Sequence, residues 1–186
     1  MAELIADLFV SLDGFASGVD EGPFFGYAGP DLENWIGDVL DWPHILVMGR
    51  VTYQAMAEIS ASASDEISTG MNEMPKVVFS NTLTEPLAWR NTRLLSGELG
   101  DQMRALKQRS AEPLRSIGSI SLVRSLIRLG LVDRFRLMIF PLILGDAGRE
   151  PISTGYQRTR LELVDTKVLD SRLVLLEYRP ENAATA

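Results

Sequence analysis

The stretch His44-Ile45-Leu46-Val47-Met48-Gly49-Arg50-Val51-Thr52-Tyr53-Gln54-Ala55-Met56-Ala57-Glu58-Ile59 decides how this chain is read. A short apolar run over 44–48 predicts a strand, Gly49 breaks it, and 51–59 reads as a helix. The same design recurs twice. Val78-Phe79-Ser80-Asn81-Thr82 stops a strand over Lys76 to Phe79, and Ser116-Ile117-Gly118-Ser119-Ile120-Ser121-Leu122 joins a brief strand to a helix. In that helix Leu122, Val123, Leu126 and Ile127 form one apolar face, Ser119 or Ser121 can cap the start, and Gly130 supplies the stop. Strand, break and helix in series predict an α/β domain with a parallel core and right-handed crossovers.

Outward from these units, Glu3 to Leu12 is nearly all apolar and ends at Asp13-Gly14, which predicts a central strand buried on both faces. Glycine and proline crowd 14–30, so a long loop carrying Phe24, Phe25 and Tyr27 is expected to cover or build a site. Asp31 to Trp42 follows as an amphipathic helix, with Leu32, Trp35, Ile36, Val39 and Leu40 inward and Asp31 at the N-cap behind Pro30. Ser60 to Thr69 lacks a stable period and reads as a mobile surface loop. Leu99, Met103 and Leu106 mark a surface helix. Arg134 to Leu144 reads as a strand entering the core, with Pro141 forcing a bulge or an edge. Arg160 to Val168 and Arg172 to Tyr178 form an antiparallel pair, giving one domain over 1–180 with a frayed tail at 181–186.

Totals narrow the function. A chain of 186 residues suits one domain with a real core. The net charge of -7 opposes general attraction to nucleic acid or anionic lipid. No apolar run reaches membrane-spanning length and the start lacks the basic residues of a signal peptide. With no cysteine and one histidine, disulfides, thiolate chemistry and a histidine metal cluster are excluded; the cytoplasm is the default compartment and no metal is expected. His44, after Pro43 at a strand entrance, is read as structural.

In an open α/β sheet the three breaks fall at the carboxyl ends of parallel strands, where unpaired helix N–H groups attract phosphate, so together they outline a groove for an extended polyanion. Gly49 permits close backbone approach, Arg50 offers a forked cation and Thr52 a hydroxyl, although a plain turn with a solvated arginine fits the same spacing. Ser80-Asn81-Thr82 also suits any turn. Gly118-Ser119 suits pyrophosphate or an ordinary cap. Asp13 sits where the central strand leaves the sheet, beside a ligand or in a common Asp-Gly turn. Asp31 is a cap or a buried acid facing substrate. Trp35 and Phe25 are core aromatics or surfaces on which a substrate stacks.

With these residues placed, the chain resembles the dihydrofolate-reductase-like superfamily, most closely the bacterial reductases grouped with the C-terminal domain of the riboflavin-biosynthesis deaminase/reductase. The resemblance rests on Phe9-Val10-Ser11-Leu12-Asp13-Gly14-Phe15, on Leu46 to Tyr53, on Met74 to Leu83, and on Gly118 to Leu126 continuing through Gly130-Leu131-Val132-Asp133 to Pro141-Leu142-Ile143-Leu144-Gly145. It implies a central, mostly parallel twisted sheet with flanking helices and a closing antiparallel hairpin. It also implies an NADPH site. There Gly49, Arg50 and Thr52 hold the phosphate region, Ser80 and Asn81 approach the adenosine end, and Ile117, Gly118, Ser119, Ile120, Ser121 and Leu122 line the pyrophosphate and nicotinamide side. Gly14 and Asp13 would lie by the nicotinamide, with Asp13 and Asp31 as candidate proton suppliers and Trp35 and Phe25 against the substrate. A homodimer acting on a small pterin-, pyrimidine- or carbonyl-type substrate is implied. A non-catalytic nucleotide- or pterin-binding module on the same fold is the alternative. The chain departs from those relatives at Arg134, where they place an acid, and at Phe140, where they place a histidine.

Overall fold

The computed structural model describes residues 1–62 and 65–181. The chain runs β1 (Leu4–Ser11), β2 (Phe15–Gly18), a 3-10 turn (Pro23–Gly26), α1 (Pro30–Asp41), β3 (Ile45–Gly49), α2 (Arg50–Ser62), α3 (Glu66–Glu73), β4 (Lys76–Phe79), β5 (Thr92–Leu95) and α4 (Leu99–Arg109). There follow β6 (Leu114–Ile117), α5 (Ile120–Arg128), β7 (Arg134–Phe140), a second 3-10 turn (Gly145–Ala147), β8 (Gly148–Pro151), β9 (Leu161–Leu169) and β10 (Leu173–Pro180). Eight strands form one sheet in the order β5-β4-β3-β6-β1-β7-β10-β9, parallel from β5 to β7 and antiparallel in the closing hairpin. Among the described residues, no helix is long and apolar enough to cross a membrane.

β1 is the centre that its apolar sequence predicts. Leu4, Ala6, Leu8 and Val10 pack with Met103 and Leu106 of α4 and with Val123 and Leu126 of α5. Phe9, from the alternate register, meets the cluster built on Leu32, Trp35, Ile36 and Val39 of α1. Tyr53 and Met71 of α2 and α3 join Leu46, Met48 and Val78 in a third cluster. Burying a side chain of this size contributes about 1.5–3 kcal/mol, so the two faces of β1 anchor both helical layers.

Some expectations are corrected. The predicted loop at 60–69 contains the end of α2 and the start of α3, because Asp65 caps α3 by accepting from Ser68 N–H at 2.9 Å and Met71 buries its side chain. Residues 63–64 of that stretch lie outside the described residues. The strand predicted to reach Leu144 stops at Phe140. Pro141 has no N–H for the ladder, and Leu142 N–H folds back onto the Phe140 carbonyl. Beyond this segment the chain forms β8, which pairs with β2, itself inside the predicted 14–30 loop, in a small sheet. Glu181 N–H bonds the Arg160 carbonyl at 2.9 Å, and the rest of the predicted tail, 182–186, lies outside the described residues.

His44 keeps a structural place. It is 1% exposed, its Nδ1 lies 2.6 Å from the Trp42 carbonyl, and burial, with Arg115 nearby, holds its pKa down at about 4. The unfolded imidazole takes its proton near pH 6.5 and the folded one only near 4. Stability is therefore whole above about 6.5 and falls as the pH drops toward 4, by about 3 kcal/mol if the full difference is expressed. Urea unfolding at pH 7 and pH 4.5 should show this loss, and His44→Gln should flatten it; the same slope in the variant would contradict the assignment.

Candidate functional site

The three strand-to-helix breaks end neighbouring strands on one edge of the sheet. Gly49 of β3 is in register with Phe79 of β4, and Val47 with Ser116 of β6. Gly49 N–H donates to Ser119 Oγ at 3.1 Å, which ties the first break to the third. Gly118 and Ser119 both take left-handed backbone (φ 57 and 52), and Gly118 N–H donates to the Asp7 carbonyl at 3.1 Å. Ser119 occupies the N-cap position of α5, yet its hydroxyl serves Gly49 and no side chain caps the helix. The first-turn amides of α5 therefore open toward the edge, with the positive end of the helix dipole behind them.

Space exists for a ligand to approach this backbone. A Cβ at Gly118 would meet nothing within 4 Å, and one at Gly49 would meet only Leu122 Cβ at 3.9 Å. Arg50 is exposed at the start of α2, where its Nη1 donates to Gln54 Oε1 at 3.0 Å; Thr52 is half-buried two residues on. Ser80 and Asn81 sit at the end of β4 and shape that end of the edge. Ser80 Oγ accepts from Thr82 and Leu83 N–H, both at 3.1 Å, and Asn81 Oδ1 accepts from Gly97 N–H at 2.7 Å. Ile120 and Leu122 turn their side chains into the core, so only their backbone faces the edge, whereas Ser121 is exposed and Ile117 half-buried.

The carboxylates play bridging parts. Asp13 accepts from Ser11 Oγ (2.6 Å) and from the N–H groups of Leu144 (3.1 Å) and Gly145 (2.8 Å), so it staples the exit of β1 to the segment after β7. The Ser11 hydroxyl and these amides hold its carboxyl below the usual range, which favours the ionised acceptor. Asp31 is not the N-cap of α1. Gly29 holds that position, and Asp170, 139 residues away, supplies the cap by accepting from Asp31 N–H (2.9 Å) and Leu32 N–H (3.1 Å). Asp31 returns the bond, accepting from Asp170 N–H at 2.8 Å. Arg172, beside it, donates to the Ala28 carbonyl at 2.6 Å and lies over the Tyr27 ring. Nothing local in the sequence marks Asp170 or Arg172, because their partners come from the far end of the chain.

Phe25 and Trp35 are both buried. Left-handed backbone at Phe24 and Phe25 (φ 54 and 51) turns these rings inward, Phe25 against Phe140 at 5.3 Å, while Trp35 stands edge-on to Phe9 at 6.1 Å. Beneath Trp35 lies a buried ion cluster that the sequence did not signal: Asp7 accepts from Arg115 Nε and from Arg136 Nε (2.6 Å) and Nη2 (2.8 Å). A larger cavity, about 850 Å³, opens between α5 and residues 152–161 at the amino end of β7, lined by Phe135, Tyr156, Arg158 and Arg160. None of the predicted site residues line it; they stand instead along the strand-end edge, which is the candidate site.

Comparison with known proteins agrees with this fold. The profile of the RibD C-terminal domain family matches residues 2–175. An uncharacterized protein, YyaP, of Bacillus subtilis (strain 168) is 28% identical over 180 residues, covering 94% of this chain and 93% of that one. The crystal structure of a putative riboflavin biosynthesis protein from Shewanella sp. PV-4 superposes with a TM-score of 0.71 at 21% identity, covering 98% of this chain and 100% of that one. Dihydrofolate reductase from Enterococcus faecalis, complexed with NADP(H) and RAB-propyl, superposes with a TM-score of 0.66 at 13% identity, covering 97% of each. The fold is dihydrofolate-reductase-like.

Proposed function

The chain belongs to the RibD C-terminal domain family, and from that premise we propose that it is a cytoplasmic, homodimeric, NADPH-dependent reductase of a small pterin-, pyrimidine- or carbonyl-type substrate. The observation that carries this reading is the alignment of three strand-end breaks on one edge, joined by the Gly49 to Ser119 bond, with open space over Gly118. Backbone amides at Ile120 to Leu122 and the guanidinium of Arg50 together suit a diphosphate with an additional phosphate. When bound, the cofactor supplies hydride for a C=N or C=O carbon.

The chain's own residues then have distinct tasks. Gly49, Gly118 and Ser119 let the backbone approach the diphosphate, Arg50 and Thr52 grip phosphate, and Ser80 and Asn81 hold the adenosine end of the edge in shape. Asp13 and Gly14 fix the wall formed by the exits of β1 and β7. Because the Asp13 carboxyl is held below its usual range, it orients this wall rather than releasing a proton near neutral pH. Asp31 keeps α1 against the hairpin turn, and the proton that completes reduction comes from water. Phe25 and Trp35 bound the apolar floor beneath the loop.

Gly49→Ala tests this directly. The added methyl makes ordinary contact with Leu122, so the variant should melt within a few degrees of the wild type. It should bind NADPH at least tenfold more weakly, read as a lost NADPH-dependent rise in melting temperature. Wild-type protein at about 100 times Kd should gain about 2.7 kcal/mol. Unchanged NADPH affinity in the variant would remove Gly49 from the site. The second reading is a binding module without turnover on the same fold. NADPH binding without its oxidation on carbonyls, dihydropterins or ribitol-type pyrimidines would establish that reading instead.

A further inference from the structure

The cavity of about 850 Å³ lies at the end of the sheet opposite the strand-end edge, where β7 begins and β10 ends. Ile127 of α5, Val132 and Phe135 line it from the side of the apolar cluster under β1. The facing wall is the strap 152–161, which is fixed at both ends. Ile152 N–H donates to the Gly14 carbonyl at 2.8 Å, and the Arg160 carbonyl accepts from Glu181 N–H at 2.9 Å. From α5, Arg124 donates to the Pro151 carbonyl and lies over the Tyr156 ring at 5.6 Å, while Arg128 Nη2 donates to the Gly155 carbonyl at 3.4 Å. The space between helix and strap is therefore held open by bonds on both sides.

The charge on the strap is unanswered. Arg124 and Arg128 are engaged with strap carbonyls, but the guanidinium groups of Arg158 and Arg160, which line the cavity, have no hydrogen bond or ion pair among the described residues. Glu181 is the one carboxylate among the lining residues, and it pairs with neither. Two free cations thus stand at the mouth of an apolar space in a chain whose net charge is -7. Pockets of roughly 300–1,000 Å³ are the size that takes a small molecule. A guanidinium fork matches the two oxygens of a carboxylate, and apolar walls favour a hydrocarbon body. A neutral ligand would leave the cations unanswered, and a nucleotide, polar along its length, would leave the walls uncovered.

We infer that this cavity is a second ligand site, which takes an apolar carboxylate with its alkyl or aryl body against Ile127, Val132 and Phe135 and its anionic head on Arg158 and Arg160. The site is separate from the proposed cofactor groove and does not depend on it. Fluorescence titration with anilinonaphthalene sulfonate, an apolar aromatic anion, tests it. The probe should bind saturably at one site per chain, decanoate should displace it, and decanol, which lacks the charge, should do so at least tenfold less well. The double variant R158A/R160A should weaken probe and decanoate at least tenfold while keeping its circular dichroism and melting temperature, because neither side chain holds a bond that folding needs. R93A/R109A removes two other exposed arginines outside the cavity and should bind as the wild type does. NADPH should leave the probe in place, so this inference and the reductase reading fail separately. Absence of saturable binding, equal displacement by decanol, or equal losses in the two double variants would overturn the site. Displacement by NADPH would overturn its separateness, and probe binding that falls as protein concentration rises would show a second copy filling the cavity instead.

Discussion

Asp7→Ala is expected to destabilise the fold by about 3–5 kcal/mol. Asp7 is 1% exposed in the central strand and is the carboxylate on which two guanidinium groups converge from the flanking strands, Arg115 of β6 and Arg136 of β7. Removing it leaves two cations beneath Trp35 with their counter-charge gone. The burial that already pulls the Arg115 pKa down shows how poorly this site tolerates charge alone. For a domain of this size the loss corresponds to a melting temperature lower by roughly 6–20 °C. Asp7→Asn keeps the volume and one acceptor and should fall between the two. A loss below about 1 kcal/mol in Asp7→Ala would show that the arginines find other partners.

Arg50→Ala is expected to raise the KM for NADPH by about 10–150-fold while changing the KM for NADH little, the range that follows from losing charge-assisted hydrogen bonds to a phosphate. The side chain is exposed at the first residue of α2, where its Nη1 donates to Gln54 Oε1 one turn along the helix. The substitution removes no core contact and should leave the melting temperature of the free protein nearly unchanged. Equal losses with both nucleotides would move Arg50 from the additional phosphate to the shared diphosphate. No loss with either would make it a surface charge.

What the sequence made legible was what local period and punctuation encode. The strand over Lys76–Phe79, the break at Gly49 and the apolar face of α5 stand where the pattern placed them, because each is set by neighbours within a few residues. The strand-end edge was legible to the same depth: glycine and serine marked the strand ends, and parallel strand order then brought those ends together. What escaped was long-range. The cap of α1 comes from Asp170, the counter-ions of Asp7 come from Arg115 and Arg136, and Asp13 serves amides beyond β7. Each of these carboxylates looks locally like a turn former or a free acid, and only the folded chain shows what it holds. The small β2 and β8 sheet was hidden for the same reason, since neither four-residue strand has a period long enough to read and each exists through the other.

Isothermal titration of NADPH into the wild-type protein, with NADH and Arg50→Ala alongside, tests the cofactor groove most directly. Saturable binding of one NADPH per chain, weakened for NADH and for the variant, is the predicted result. Absence of NADPH binding at millimolar concentration, with no shift in melting temperature, would contradict it.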